Sequence, residues 1–296
     1  MGPILVTGGS GQVGGALVRL ADAGTEVVAP TRAQLDLTDP NALAEMVAAR
    51  PWTAIVNCAA YTAVDKAESD VVRAWQVNAL APAALAAASA QAGIPILHVS
   101  TDYVFDGTKA DPYVEADPVA PLGVYGASKL GGELAVRSAN PRHIILRTAW
   151  VVSATGHNFV KTMLRLGAER PQLRVVADQH GCPTAADDIA RAILTILQRI
   201  GGAGENGLRG TYHFVNAGSG TWHDLAGHVF ARAATHGRTA PTVEPIATAD
   251  YPTPAARPAN SRLATDKIMR DFGISPRDWH GAIDEIVDQL VKEAAE

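Results

Sequence analysis

The feature that most constrains the fold lies at the start of the chain, where three evenly spaced glycines separate an apolar run from a helical pattern. Residues 3–7 predict a strand, Gly8, Gly11 and Gly14 follow in TGGSGQVG, and a helix is expected over about 12–23. A helix N-terminus offers unpaired N–H donors and a favourable dipole to a phosphate. In this spacing Gly8 permits the tight turn, Gly11 the close approach of a ligand, and Gly14 the contact between helix and strand. We predict a dinucleotide diphosphate site here; a tight turn without a ligand is the alternative.

Short apolar runs alternate with helical patterns through the first half of the chain. Continuous apolar strands joined by helical crossovers are typical of a parallel sheet covered on both faces, so we predict a doubly wound, Rossmann-type α/β fold. The expected strands are 3–7, 26–29, 54–58, 94–100, 143–148 and 210–215, and the expected helices are 12–23, 40–49 with Asp39 as N-cap, a long helix within 70–92, 128–138 and 187–199.

The alternation weakens after residue 150, which indicates a second region. We expect a dinucleotide-binding domain over 1–150, to which 181–215 returns, and a smaller substrate-binding lobe formed by 151–180 and 216–296. The glycine-rich stretch 200–210 is expected to be a surface loop.

Composition excludes several classes of protein. The chain has 296 residues, 47% of them hydrophobic, and a net charge of −5 without a basic stripe, so neither disorder nor nucleic-acid binding is expected. Cys58 and Cys182 are too far apart to indicate a disulfide framework or a zinc site, and no cluster has metal-ligand spacing. The N-terminus lacks a signal-peptide pattern, and 79–92 is too short and polar to span a membrane. We therefore expect a cytoplasmic protein without a membrane partner.

The residues after the second expected strand bear on which dinucleotide binds. A carboxylate there usually holds the ribose diol of NAD, but this chain has Pro30, Thr31 and Arg32. Arg32 can hold a 2′-phosphate bidentately, which favours NADPH; a solvated arginine is the alternative. Asp36 and Leu37 are candidates to cover the adenine.

Tyr125 and Lys129 are the candidate reactive pair. If their segment is helical, they lie one turn apart on one face, and the ammonium would lower the tyrosine pKa from about 10. Such a tyrosine can give a proton to a developing alkoxide, whereas a helix-surface contact is the alternative. Thr101 lies beyond the fourth expected strand, where ligands bind in this fold. We prefer it to Ser100 because the residue just past a strand is better placed to reach the crevice.

Together these motifs resemble the extended short-chain dehydrogenase/reductase family, and within it a branch that reduces 4-keto-6-deoxy sugar nucleotides. The glycine turn and the YxxxK spacing are shared by many members, whereas STDYVFDG, DQHGCPT and RPANSRL are more specific to the branch. The resemblance covers nearly the whole chain, through the segments TGGSGQVG, VNCAAYTAVDKAESD, VSTDYVFDG, YGASK, RTAWVV, NFVKTML, DQHGCPT, GTYHFVNAG, TWHDLA and RPANSRL.

The resemblance implies hydride transfer from NADPH, or NADH, to the C4 ketone of dTDP-4-dehydro-6-deoxy-L-mannose, giving dTDP-L-rhamnose. It implies that Tyr125 protonates the C4 oxygen, that Lys129 tunes Tyr125 and holds the nicotinamide ribose, and that Thr101 binds the same oxygen. The cofactor-binding candidates are Gly8, Gly11, Gln12, Val13, Gly14, Arg32, Asp36, Leu37, Ala59, Ala60, Asn78, Tyr125 and Lys129. The substrate-binding candidates are Thr101, Asp102, Tyr103, Trp150, Asn158, Arg257, Asn260 and Arg262.

Several of these candidates have a structural alternative. Asn78 can be a helix-surface amide rather than a support of the reacting groups, and Trp150 can be plain core rather than an apolar wall beside the sugar. Asn158, with Gln179 and Thr184, can shape the substrate lobe rather than touch a ligand. Thr221 and Asp224 predict a helix capping box, and we do not expect His223 to be catalytic.

Three further alternatives stay open. A reductase of another 4-keto-6-deoxy sugar nucleotide has the same motifs. An epimerase or dehydratase is disfavoured, since the carboxylates expected after the second strand and beside the tyrosine are missing. A non-catalytic module similar to the regulatory subunit of methionine adenosyltransferase is disfavoured because Tyr125 and Lys129 are both present. Some relatives are associated with Mg²⁺, for which no ligands are identifiable, and we expect a monomer or a homodimer.

Overall fold

The structure, a computed structural model, describes residues 2–21, 24–202 and 207–294. Its strands are β1 (Ile4–Thr7), β2 (Val27–Val28), β3 (Ala54–Asn57), β4 (Ile96–Thr101), β5 (His143–Thr148), β6 (Val151–Val152), β7 (Gln172–Val176), β8 (His180–Gly181), β9 (Thr184–Ala185), β10 (Gly210–His213), β11 (Gly220–Thr221) and β12 (Thr242–Ile246). Its α-helices are α1 (Gln12–Leu20), α2 (Pro40–Ala48), α3 (Val64–Ala67), α4 (Val71–Trp75), α5 (Ala81–Gln91), α6 (Val124–Ala139), α7 (Phe159–Glu169), α8 (Ala186–Gly202), α9 (Trp222–Ala234), α10 (Asp266–Phe272) and α11 (Trp279–Glu293). A π-helical turn (Gln76–Leu80) joins α4 to α5, and 3₁₀ turns span Asp102–Val104 and Thr248–Asp250.

The central sheet has six strands in the order β10-β5-β4-β3-β1-β2, and every pair in it is parallel. The six expected strands and the doubly wound α/β class are thus confirmed. From β1 the chain adds β2 on one side and β3, β4 and β5 on the other, so the strand order reverses between β1 and β3. In such sheets ligands bind at the carboxyl ends of the strands beside that switch point.

Both faces of the sheet are buried, which is why its strands are continuous apolar runs. Ile4 and Val6 of β1 point into a core shared with α1, α8 and α10, whereas Leu5 points into a second core formed with α2, α5 and α6. Burial of each such side chain contributes about 1.5–3 kcal/mol. The segment α8 therefore packs against the first half of the chain, and Ile268 and Phe272 of α10 join the same core.

A separate hydrophobic cluster lies in the later part of the chain. It is formed by α7, α9 and α11 around the parallel pair β7 and β12, with Trp279 as its largest fully buried side chain. The helix α9 begins with the expected capping box, in which the Thr221 hydroxyl accepts from the Asp224 N–H and the Asp224 carboxylate accepts from the Thr221 N–H. In the part of the chain that the structure describes, no helix is both long and apolar enough to cross a membrane.

Several expected boundaries are corrected. α1 ends at Leu20, and Ala23 lies outside the described residues. α8 continues through Gly202, so the expected surface loop begins later than residue 200, and residues 203–206 lie outside the described residues. α6 begins at Val124 rather than 128, because the Glu68 carboxylate accepts from the Val124 N–H at 2.8 Å and caps the helix from 56 residues away.

Candidate active site

The glycine turn forms a cradle that side chains would fill. Gly8 has φ +77°, and a Cβ there would lie 2.7 Å from the Ala59 nitrogen. A Cβ at Gly14 would lie 2.2 Å from the Gly8 oxygen, so the glycine allows α1 to contact the turn. Gly11 faces more open space, since the described atom nearest its Cβ position is the Gly8 oxygen at 3.2 Å. No side chain caps α1 at Gly11, so its first N–H groups remain available to an anion, and the turn fits a diphosphate.

Gln12 connects this turn to the later part of the chain. Its amide donates to the Val151 oxygen at 3.3 Å and accepts from Ser153 Oγ at 2.8 Å and Asn158 Nδ2 at 3.0 Å. Asn158 also caps α7 by accepting from the Lys161 N–H. Asn158 thus has a structural role, and its role in substrate binding stays a prediction. Val13, the next residue after Gln12, packs into the core beneath the turn.

The segment after β2 contains the candidate adenosine contacts. Arg32 is exposed, and no hydrogen bond or ion pair joins it to another described residue. Thr38 donates its N–H and its hydroxyl to Asp36, and these hydrogen bonds hold the pKa of that exposed carboxyl below its usual value. Leu37 is half-buried against the core of α2 and α5. The role of Arg32 in binding a 2′-phosphate stays a prediction, and residues 29–32 contain no carboxylate for a ribose diol.

Asn78 is fully buried in the π-helical turn, so the surface-amide alternative is wrong. Its Oδ1 accepts from the Tyr61 N–H at 2.8 Å, and its Nδ2 donates to the Tyr61 oxygen and to Ser128 Oγ. The Ser128 hydroxyl in turn donates to the backbone oxygen of Tyr125. Asn78 therefore fixes both the loop after Ala59 and Ala60 and the first turn of α6; π-helical turns are frequent at functional sites.

Tyr125 and Lys129 both lie within α6, one turn apart, next to the end of β4. A Cβ at Gly126 would lie 2.2 Å from the backbone oxygen of Tyr103, so this glycine lets α6 contact the 3₁₀ turn closely. The Tyr125 ring meets the Tyr103 ring edge-on with centroids 5.4 Å apart. Lys129 is only 2% exposed, and the helix-surface alternative for the pair is therefore wrong.

The expected fall in the Tyr125 pKa is not found. Burial raises the pKa of Tyr125 to about 12, a hydrogen bond with Thr101 offsets part of the rise, and the Asp102 charge adds to it. Lys129 Nζ donates to the Val99 oxygen at 2.6 Å and lies 3.4 Å from His98 Nε2. Burial also lowers the pKa of Lys129 to about 8, although the Glu133 charge opposes that fall.

Thr101 is the last residue of β4 rather than the first residue beyond it, as its pairing with Thr148 shows. Its hydroxyl donates to Asp102 Oδ1 at 2.9 Å and accepts from the Tyr103 N–H at 3.2 Å. Asp102 is 3% exposed, and burial raises its pKa to about 6, while hydrogen bonds from Ser261 and Thr101 oppose the rise. A phenol, a hydroxyl and a carboxyl therefore meet at the carboxyl end of β4.

Trp150 stands out by its backbone. Among the described residues other than glycine it alone has a positive φ, +47°, a conformation that costs on the order of 1–3 kcal/mol and clusters at functional sites. Its half-buried ring stacks on Trp222 with centroids 3.5 Å apart and planes 8° apart. A Cβ at Gly181 would lie 2.2 Å from the Trp150 ring. The partial exposure favours an apolar wall over plain core, and Trp222 was not identified from the sequence.

The substrate-binding candidates Arg257, Asn260 and Arg262 are each held by other groups of the protein. Arg257 forms an ion pair with Asp65 at 2.8 Å, and its charge also lies near Tyr103. Asn260 donates to the backbone oxygens of Lys109 and Asp111, and Arg262 Nε donates to Asn260 Oδ1. Arg257 thus faces the site, whereas Asn260 and Arg262 fasten the segment to a neighbouring loop; their roles in substrate binding stay predictions. Over residues 2–21, 24–202 and 207–294, no group of His, Cys, Asp or Glu side chains has the arrangement of a metal site.

The cradle at the first β-α turn and a Tyr–Lys helix beside the fourth strand of one parallel sheet define the class: this is an extended short-chain dehydrogenase/reductase. Comparison with known families gives the narrower assignment. The chain belongs to the RmlD substrate binding domain family, whose model matches residues 1–292.

Three relatives illustrate the similarity. The chain is 46% identical over 290 residues to a dTDP-4-dehydrorhamnose reductase of Sinorhizobium fredii, covering 98% of each chain. It is 42% identical to a Streptomyces antibioticus protein named probable dTDP-4,6-dihydroxy-2-methyloxan-3-one 4-ketoreductase, covering 97% of this chain and 95% of that one. A crystal structure of dTDP-4-dehydrorhamnose reductase from Bacillus anthracis in complex with NADP superposes with a TM-score of 0.90 at 32% identity, covering 97% of this chain and 99% of that one.

Proposed function

We propose that this chain reduces the C4 ketone of dTDP-4-dehydro-6-deoxy-L-mannose to dTDP-L-rhamnose with NADPH. The observation that carries the proposal is the meeting of Tyr125, Thr101 and Lys129 at the carboxyl end of β4. The full-length similarity to named dTDP-4-dehydrorhamnose reductases supports this substrate.

The proton for the product hydroxyl comes from Tyr125. Its raised pKa keeps the phenol protonated across the neutral range, so a proton donor is present when the substrate binds. An alkoxide is far more basic than a phenolate, so proton transfer to the developing C4 oxygen is downhill. Thr101 can hold the same oxygen by a hydrogen bond. Lys129 lies one turn along α6, and in its ammonium form it stabilises the Tyr125 phenolate that remains after the proton has left. The buried surroundings strengthen both interactions.

The glycine turn, Ala59, Ala60 and Lys129 would hold the nicotinamide cofactor, which supplies the hydride when bound. Asn78 supports this site through Tyr61 and Ser128. The exposed Arg32, together with the missing carboxylate after β2, supports a preference for NADPH over NADH. No ligand set for Mg²⁺ is proposed, because the described residues contain no cluster of metal-binding side chains.

The sugar nucleotide would lie between the end of β4 and the later part of the chain. We assign residues 151–180 and 216–296 to a substrate-binding lobe. The separate core around α7, α9 and α11 supports this assignment, whereas α10 within the same range packs into the core of the central sheet. Trp150, held against Trp222, would form an apolar wall beside the hexose, with Asp102 and Tyr103 opposite. Arg257 would meet the diphosphate in exchange for its ion pair with Asp65.

A cytoplasmic location is part of the proposal, and the free thiols of Cys58 and Cys182 agree with a reducing compartment. We propose a monomer or homodimer.

A second candidate is reduction of a different dTDP-linked keto sugar. The specific observation in its favour is the 42% identity to the Streptomyces antibioticus ketoreductase. The same Tyr125, Thr101 and Lys129 would perform that reaction, and only the wall around the sugar would differ.

Product analysis tests both candidates. The purified chain is mixed with NADPH or NADH and a panel of 4-keto-6-deoxy sugar nucleotides, and the products are identified by NMR. We expect dTDP-L-rhamnose as the fastest product and a larger kcat/KM for NADPH than for NADH. In Tyr125→Phe, kcat should fall by about 10²–10⁴-fold, the usual contribution of a positioned proton donor, while NADPH still binds.

Tyr212→Phe is the matched control, since Tyr212 lies on β10 and its hydroxyl donates to Asp271 instead of facing the site. Binding of NADPH without any turnover across the panel would indicate a non-catalytic module. Turnover of Tyr125→Phe at the parent's rate would overturn the proposed role of the phenol.

A further inference from the structure

A chain of buried polar groups runs from β1 through β3 and β4 to Lys129. The Thr7 hydroxyl donates to Asn57 Oδ1 at 2.6 Å, Asn57 Nδ2 lies 3.0 Å from His98 Nδ1, and His98 Nε2 lies 3.4 Å from Lys129 Nζ. All four side chains are at most 2% exposed. Because solvent is excluded, these groups must satisfy one another.

The hydrogen positions in this chain follow from one backbone donor. The Ala59 N–H donates to Asn57 Oδ1 at 3.2 Å, and a backbone N–H cannot act as an acceptor. The amide oxygen of Asn57 is therefore on that side, and its NH₂ group donates to His98 Nδ1. A neutral histidine that accepts at Nδ1 carries its proton on Nε2, and His98 is neutral because burial holds its pKa well below the usual value.

The His98 Nε2–H consequently points at Lys129 Nζ. An ammonium has three N–H donors and no acceptor, so a charged Lys129 would face a second donor. A neutral amine can accept from His98 with its lone pair and donate to the Val99 oxygen at 2.6 Å, so both the His98 Nε2–H and that oxygen have a partner. The lowered pKa of Lys129 agrees with this arrangement.

We infer that His98, oriented by Asn57, is a positioning residue that holds the Lys129 nitrogen at the β4 backbone and disfavours its ammonium form. The other groups that face Lys129 either favour its ammonium form or carry no charge. Glu133 on α6 favours the ammonium, although its charge is itself paired with Arg147 of β5. Burial raises the pKa of the Cys58 thiol after β3 to about 12, so Cys58, like Tyr125 on the preceding turn, holds its proton. The consequence for reduction rests on the proposed function. As the pH rises, Lys129 would lose the positive charge that stabilises the Tyr125 phenolate at a lower pH than an unperturbed lysine would lose its charge.

The titration of Lys129 can be measured on the protein alone. In a sample labelled with ¹³C at lysine Cε, the Lys129 signal is assigned by its loss in Lys129→Met. We expect a midpoint near pH 8. In His98→Gln the amide oxygen can accept from the ammonium, and in Asn57→Asp a carboxylate accepts from the ring and moves its proton to Nδ1. Both variants should raise the midpoint by about one unit or more.

His213→Gln is the matched control, since His213 is also fully buried but lies on β10, beyond β5. It should leave the Lys129 midpoint unchanged even if it lowers stability. A long-range ¹H–¹⁵N spectrum of the parent protein adds a test that needs no folded variant, and it should place the His98 proton on Nε2.

A proton on His98 Nδ1, or a Lys129 midpoint that both variants leave unchanged, would overturn the inference. Because neither measurement uses substrate, failure of the reductase assay alone would refute the proposed function and leave this result standing. If both hold, the limb of the kcat profile assigned to Lys129 should shift to higher pH in His98→Gln, whereas a merely structural role would lower kcat at every pH.

Discussion

The tight contact at Gly126 gives a prediction whose size follows from the structure. In Gly126→Ala the new Cβ would lie 2.2 Å from the Tyr103 backbone oxygen, about 1.2 Å short of the 3.4 Å at which ordinary contacts begin. Both the helix and the 3₁₀ turn are backbone, so neither can give way by a side-chain rotation. The start of α6, and Tyr125 with it, must move away from Thr101 by about 1 Å, a misplacement that can cost about 100-fold in rate.

The assay is the steady-state oxidation of NADPH with the 4-keto sugar nucleotide, accompanied by urea unfolding. We expect kcat to fall about 100-fold in Gly126→Ala. Alanine favours a helix interior by about 1 kcal/mol over glycine, so the free energy of unfolding should fall by less than the steric clash alone would give. Gly227→Ala on α9 is the control and should raise stability with kcat unchanged, because no described atom outside the surrounding turns of the helix lies within 4 Å of the new Cβ. A Gly126→Ala variant that keeps the parent's kcat would refute the view that this contact sets the position of Tyr125.

Two further predictions concern buried charges. Glu133 and Arg147 form a bidentate ion pair whose side chains are 0% and 3% exposed, so Glu133→Gln should lower the free energy of unfolding by about 3 kcal/mol. The control is Glu169→Gln, which breaks an exposed pair with Arg165 and should change the free energy of unfolding by less than about 0.5 kcal/mol. Equal effects of the two substitutions in urea unfolding would contradict this prediction. Burial raises the folded-state pKa of Asp102 to about 6, above the ordinary aspartate value of 3.8, so the native state binds the proton more tightly than the unfolded chain does. The stability that this proton contributes is lost as the pH rises from about 4 to about 6. Asp102→Asn has no such titration, so between pH 4 and pH 7 its free energy of unfolding should rise relative to the parent's by up to about 3 kcal/mol. A difference in unfolding free energy that stays constant across that range would argue against the raised pKa.

The sequence predicts best those features whose causes are local. The apolar strands of the sheet, the Asp39 cap on α2 and the capping box of Thr221 and Asp224 each depend on neighbours within a few residues, and all are confirmed. The glycine turn also depends on local residues, because Gly8 and Gly11 lie between β1 and α1 and Gly14 lies in the first turn of α1; its binding of a dinucleotide stays a prediction.

Features that depend on distant partners were missed. The start of α6 is set by a hydrogen bond from the Val124 N–H to Glu68, 56 residues away. The spacing of apolar residues along α6 gives no information about so distant a partner. A histidine inside an apolar strand gives no local signal, so His98 was not singled out, although it lies against Lys129. The direction of the Tyr125 pKa shift was wrong because residue spacing shows the nearby lysine and does not show how deeply the phenol is buried.

The contacts of Gln12 mean that the phosphate turn and the later part of the chain share one side chain. Three hydrogen bonds join this carboxamide to Val151, Ser153 and Asn158, which follow directly after the strained Trp150. A change at this turn on binding a diphosphate would therefore alter the hydrogen bonds that hold the segment after Trp150. We expect binding at the glycine turn and binding beside Trp150 to be coupled through Gln12.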